Sequence, residues 1–541
     1  MTNMSAVNTF HAGCPLFLAT TYTVLNKDEI QAFASNTPMF VYMATYVVAL
    51  YFRLFPCSFG FGTNIRSLSA SALTPAKPRL YGQPTAKTHP HLMKPGEVTP
   101  GITATEYEFR RARLMNMLPE NSVAIALGYP FHQNTDFFYL CGFNEPDAAI
   151  VLEKNNTRKG YKMTMFVPPK NTSVEMWDGS RTGVLGAVEI FGADEAIEST
   201  RFNSKIKEIV KNYKDIYIDL PAKTNILSSD SIYKSTSRAY GIPSFHTFSY
   251  WFNYCRDHLD RLIRPHRFSS ISTMFGSQVK PLSRIIQELR LIKSDSEIAL
   301  MKVAGQITGK AFIETIKFTN LGFTEHDLYA KVDFECRIRG AQYLAYVPVV
   351  AGGINALTLH YVRNDMPLQN GDLVLVDAGS EYHGYASDIT RTWPINGKFS
   401  PAQRDLYEVV LNANRQCIKL CTEKKNISLN KIHEKSVQFI KEGLSSLGFD
   451  LVEGDVDRVL YPHHVGHYLG LDVHDTHDLE RSRILKSGMV ITIGVYIPPN
   501  DAYPKHFHGM GIRIEDDVLV GETDPYVLSS IAPKEIVDIE Y

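Results

Sequence analysis

Hydrophobic and polar positions alternate along the chain in two different periods, and together these predict an α/β protein. A period near 3.6 residues runs through "TATEYEFRRARLMNMLP" (Thr103–Pro119) and again after Ser294. At each start a Ser or Thr precedes a Glu by three residues (Thr103 and Glu106, Ser294 and Glu297), so a capped helix is predicted at both. Between them the short apolar runs "SVAIALG", "DFFYLCGF", "AAIVLEK" and "KMTMFVPP" are bounded by turn residues and are predicted as strands. In "DLYEVVLNANRQCIKLC", Leu406, Val409, Val410, Ala413, Cys417 and Leu420 form one helical stripe, which makes Cys417 and Cys421 core residues, not a ligand pair. "SGMVITIGVYIPPN" (Ser487–Asn500) has no charge, histidine or cysteine, and reads as a buried strand. The predicted organisation is a leader over residues 1–80, a mixed α/β domain over 81–280 and a second α/β domain over 281–541.

Composition narrows the function classes. With 56 basic against 57 acidic residues, the chain carries no electrostatic footprint for nucleic acid. Its 7 scattered cysteines, an odd number, argue for a reducing compartment. The N-terminus differs in kind: from Ile30 to Gly96 there is no Asp or Glu, while Arg53, Arg66, Lys77, Arg79, Lys87 and Lys94 are positive. An acid-poor, Arg- and Ser-bearing leader is the pattern of a mitochondrial transit peptide. The competing readings are a membrane anchor and a disordered tail. The apolar stretch Met39–Phe52 is short of the ~20 residues that cross a bilayer, so no membrane association is expected.

Candidate chemistry lies in the second domain. "LVLVDAGSEYHGYASDITRTW" (Leu373–Trp393) is predicted as a hairpin with Tyr382 and His383 in the loop, which sets Asp377 opposite Asp388. Opposed carboxylates repel unless a cation is shared between them. The alternative is a slipped register or one exposed Asp. Downstream, "YPHHVGHYLGLDVHD" brings His463, His467 and His474 close together, and in "GIRIEDD" Arg513 and Glu515 share a strand face. Hard oxygen donors with an imidazole suit Mn²⁺, Zn²⁺ or Co²⁺ in a two-metal site.

The hairpin, the "HHVGHYLGLDVHD" segment and "GMGIRIEDD" resemble the metallopeptidases of pita-bread fold, and among them the mitochondrial type of aminopeptidase P. The upstream phrases "FHQNTDFFYLCGFNEPD" and "VEMWDGSRTG" resemble that family's N-terminal domain. The resemblance implies removal of an N-terminal residue from peptides with proline second. It implies Asp377, Asp388, His467 and Glu515 as ligands of two Mn²⁺ ions sharing a hydroxide, with Zn²⁺ or Co²⁺ as alternatives. It further implies His474 and His463 as catalytic residues, His360 and Arg513 as substrate-pocket residues, a homodimer, and a mitochondrial location with the cytoplasm as the alternative. One departure stands out. Where the family pattern resembles I-T-I-E-P-G-V-Y-I-P, this chain reads Ile491-Thr492-Ile493-Gly494-Val495-Tyr496, without the Glu-Pro pair. That Glu is the family's fifth ligand and its proton-transfer group, so a weakened second ion and a lost base are expected. A similar shortening falls within Asn121–Asn134. The alternatives to the enzyme are a pita-bread pseudoenzyme that binds peptides or proteins and, more weakly, an Xaa-Pro dipeptidase.

Overall fold

The apolar runs of the first half pair edge to edge, because none can bury both faces alone. A two-stranded hairpin, β1 (Glu97–Thr99) and β2 (Ile102–Thr103), leads into helix α1 (Ala104–Met117), capped by Thr103 as its spacing predicts. Then β3 (Ser122–Leu127), β4 (Ala149–Lys154), β5 (Tyr161–Val167), β6 (Glu195–Glu198), β7 (Asp215–Ile218) and β8 (Val279–Lys280) form one sheet in the order 6-5-4-3-7-8. Strand β4 runs antiparallel to β3 and β5, and the other neighbours are parallel.

One predicted strand is a helix. "DFFYLCGF" forms α2 (Thr135–Cys141), because Asn134 accepts the Phe137 N–H at its start and Gly142 takes the left-handed conformation at its end. Both caps flank the apolar run and override its strand-like composition.

The computed structural model describes residues 80–128, 132–219, 279–492 and 503–540, all within one compact unit, Lys77–Tyr541. The leader, the aromatic segment Ala239–Ser270 and the junction between Ile493 and Gly494 lie outside the described residues. Among those described, no helix is long and apolar enough to cross a membrane.

The second half opens with α3 (Ser283–Leu291) and α4 (Asp295–Phe318), the latter started by the complete Ser294–Glu297 capping box. Helices α5 (Glu325–Ile338), α6 (Pro401–Ile418) and α7 (Leu429–Ser446) pack around three short sheets. The strands are β9 (Tyr343–Leu344), β10 (Val349–Gly352), β11 (Leu373–Ala378), β12 (Ser380–Tyr382), β13 (Tyr385–Ala386), β14 (Ile389–Pro394), β15 (Val490–Ile491), β16 (Val518–Leu519) and β17 (Tyr526–Val527). Cys417 and Cys421 are both fully buried on the inner stripe of α6 and just past its end, and burial pushes the Cys417 thiol up to about 12. The two halves share a core: Tyr107, Leu140 and Phe143 of the first half pack in one cluster with Leu289, Met301, Tyr385, Leu469 and Leu471 of the second half.

Candidate metal centre

The hairpin of β11–β14 delivers both aspartates, but in a register different from the one expected. Tyr382 pairs with Tyr385, so His383 and Gly384 are the loop residues, with φ of 50° and 89°. A two-residue hairpin loop of this kind needs the left-handed region at both positions, and glycine enters it freely at the second. Asp377 therefore faces Thr390, not Asp388. Asp388 lies two residues before Thr390 and is the diagonal neighbour of Asp377 on the same face. The ladder bends at Gly379, where an added Cβ would sit 1.7 Å from the Ser387 carbonyl oxygen.

The two carboxylates still converge. The Tyr346 hydroxyl lies 2.5 Å from Asp377 Oδ1 and 2.6 Å from Asp388 Oδ1. Arg513 Nη2 donates to Asp377 Oδ2 at 2.6 Å, and its Nε donates to Thr390 Oγ1 at 3.2 Å. Backbone pairing of Glu515 with Thr390 aligns the third carboxylate, and Thr390 Oγ1 donates to Glu515 Oε2 at 3.2 Å. Arg513 and Glu515 share a face, as their spacing predicts, with 3.9 Å between Nε and Oε2. His467 Nε2 reaches Asp388 Oδ2 at 3.2 Å, while its Nδ1 donates to the Tyr468 carbonyl at 3.0 Å. Ligand atoms of Asp388, His467 and Glu515 all lie within 4.8 Å of one another.

The electrostatics fit a cation. Burial, followed by the charges of Asp388 and Asp377, pushes the Glu515 carboxyl up to about 8. Burial opposes protonation of His467, but its hydrogen bond to Asp388 and the nearby carboxylate charge lift it to about 9. Buried and part-buried carboxylates are thus held at close range with Arg513 as the fixed cation beside them. This oxygen-rich donor set with one imidazole is what a hard or borderline divalent ion requires.

Of the remaining candidates, His474 stacks edge-on against His467, with ring centroids 4.4 Å apart. Burial and the charge of His467 lower its pKa. His463 packs its ring on Tyr461 at 4.8 Å and is held neutral by burial, its pKa about 4. His360 is exposed and is not brought into the carboxylate cluster. Three residues not anticipated from the sequence complete the arrangement. They are Tyr346, Thr390 and Asp517, whose carboxylate accepts the Asp388 N–H at 3.0 Å and the Ser387 hydroxyl at 2.8 Å. Of the three, only Thr390 carries a sequence signal that could have found it, its alternation with Asp388 along the strand.

Residues 299–522 match the model of metallopeptidase family M24, and residues 107–217 match that of the aminopeptidase P N-terminal domain. Over 490 residues the chain is 40% identical to Xaa-Pro aminopeptidase 3 of Mus musculus, covering 85% of this chain and 90% of that protein. The chain belongs to the aminopeptidase P family. Another relative, the mitochondrial intermediate cleaving peptidase 55 of Arabidopsis thaliana, is 37% identical over 487 residues, covering 87% of this chain and 90% of that protein. Crystals of Icp55 from Saccharomyces cerevisiae give a TM-score of 0.69 at 41% identity, covering 82% of this chain and 98% of that one. As an aminopeptidase P family member, this chain has a first half of that family's N-terminal type and a second half that is the pita-bread metallopeptidase domain.

Proposed function

We propose that this chain is a divalent-metal Xaa-Pro aminopeptidase that releases the first residue from peptides with proline second. The observation that carries the reading is the convergence of Asp388, His467 and Glu515, with Asp377 tied to them through Tyr346 and Arg513. Asp377, Asp388, His467 and Glu515 would hold the metal, Mn²⁺ foremost, with Zn²⁺ and Co²⁺ as alternatives. When bound, the ions supply an acidified water and positive charge at the scissile carbonyl. Both oxygens of Asp377 already accept a hydrogen bond, and each retains a lone pair for a cation. His474, neutral near pH 7, donates an N–H to the oxyanion that develops on the Xaa-Pro carbonyl. His463, neutral for the same reason, is the second catalytic histidine, Arg513 lines the substrate pocket, and His360 meets the peptide at its exposed rim. The domain division at residues 80 and 280, a homodimer and a mitochondrial location belong to the same reading. The last is supported by the acid-poor leader and by the Arabidopsis relative's name.

A second reading is favoured by one observation: no carboxylate stands between Ile493 and Gly494, where the family supplies Glu. In that reading the chain is a peptide-binding pseudoenzyme. Metal analysis with hydrolysis of an Arg-Pro-Pro peptide separates the two. Bound metal and released Arg support the enzyme, while neither, in excess Mn²⁺, overturns it for this chain. Turnover confined to Xaa-Pro dipeptides would make it a dipeptidase. Insertion of Glu-Pro after Ile493 is expected to raise turnover by about 10²–10⁴-fold, the usual worth of a general base.

A further inference from the structure

A single buried guanidinium joins the two halves of the chain beside the histidine loop. Arg290, near the end of α3, has a side chain only 4% exposed. Its Nη1 donates to Thr135 Oγ1 at 3.0 Å and to Asp136 Oδ1 at 2.6 Å, both at the start of α2 in the N-terminal domain. Its Nη2 donates to Asp472 Oδ2 at 2.7 Å and to Asp475 Oδ1, both in the loop that follows His467. Thr135 Oγ1 also donates directly to Asp472 Oδ2 at 2.9 Å. Lys293 Nζ takes the other Asp475 oxygen at 3.0 Å.

We propose that Arg290 is a positioning residue for His474, through which the N-terminal domain sets the loop carrying His467 and His474. The inference rests on the role given above to His474. Asp475 directly follows His474 in the chain, so anchoring its carboxylate fixes the backbone on which the imidazole turns. The loop closes on itself where the Asp475 N–H donates to the Tyr468 carbonyl at 3.0 Å. It is also tightly packed: a Cβ on Gly470 would lie 2.5 Å from Asp475 Oδ2 and 3.0 Å from Lys293 Cε. A planar guanidinium can address two partners with its two terminal nitrogens, whereas an ammonium is a point charge and cannot hold both edges at once. Lys293 already serves Asp475, so Arg290 is needed for the span between the domains, beyond neutralising one carboxylate.

The test uses the full chain with two variants, Arg290→Lys, which keeps the charge, and Thr135→Val, which alters only the N-terminal domain. In the metal-free chain, hydrogen exchange over residues 467–478 is expected to accelerate about tenfold in both, with α6 unchanged. Unchanged exchange in this segment, or an equal rise everywhere, overturns the proposal. With Mn²⁺ bound, kcat on Arg-Pro-Pro is expected to fall about 10–100-fold in Arg290→Lys at unchanged KM. Arg290→Lys should add nothing to His474→Ala if the two act as one unit, and multiplied losses overturn the proposal. If His474→Ala alone costs no activity, the reading of His474 has failed. The exchange result still decides independently whether Arg290 fixes the loop.

Discussion

Tyr346 has one hydroxyl hydrogen and two carboxylates within reach, Asp377 at 2.5 Å and Asp388 at 2.6 Å. Placed between them, it ties the two carboxylates together, donating its one hydrogen to either. Tyr346→Phe is expected to weaken Mn²⁺ binding about 10–100-fold with little loss of fold, measured by titration calorimetry. A second expectation concerns pH. Glu515 at about 8 and His467 at about 9 are both raised, so at neutral pH the free chain keeps protons that a bound ion must displace. Mn²⁺ affinity should therefore rise with pH through the range 6 to 9, and Glu515→Gln should flatten the rise; dissociation constants across that range check it. The acidic and imidazole candidates were legible because such side chains are rarely grouped without cause. Tyr346 was not legible, since "AQYLAYVPVV" offers two tyrosines and nothing in the spacing marks the inward one.

At the scale of elements, the hairpin was legible but its register was not. The deciding residue is His383, which takes a left-handed φ that non-glycine residues adopt uncommonly. The two-residue shift leaves Asp377 and Asp388 on one face, so the two carboxylates still meet at Tyr346 despite the different pairing. Helix α2 was misread for a related reason: its caps, Asn134 and Gly142, carry the information, and the apolar run between them is ambiguous. The bend at Gly379 makes a sharp prediction. Gly379→Ala places a methyl where the Ser387 carbonyl stands, 1.7 Å away. The hairpin must open to admit it, which should cost about 3 kcal/mol or more in urea unfolding and abolish tight Mn²⁺ binding.

At the scale of the whole molecule, the core shared by the two halves and the Arg290 span were not legible in the sequence. Contacts between residues as far apart as Thr135 and Asp472 leave no periodicity in the sequence. The C-terminal segment was likewise silent. Arg391, fully buried, donates through its Nε to Pro533 O at 3.0 Å, and through Nη2 to Ala532 O at 3.1 Å and Asp516 Oδ1 at 2.6 Å. Its Nη1 donates to Glu515 O at 2.7 Å. Lys534 Nζ donates to Asp516 Oδ2 at 2.6 Å, and Arg404 Nη2 to Glu540 Oε2 at 2.6 Å. Ending the chain after Ile531 strips partners from the buried Arg391–Asp516 pair. That should cost about 3–5 kcal/mol, seen as loss of cooperative thermal unfolding in the catalytic half.

The closure behind Glu515 also bears on when the molecule becomes itself during synthesis. Domains emerge from the ribosome N-terminal end first and fold as units. Here Arg391, which steadies the backbone of Glu515, finds its last partners only in Ala532 and Pro533. The backbone behind Glu515 is therefore completed only once residues 532 and 533 have been synthesised, and until then Arg391 lacks two of its acceptors.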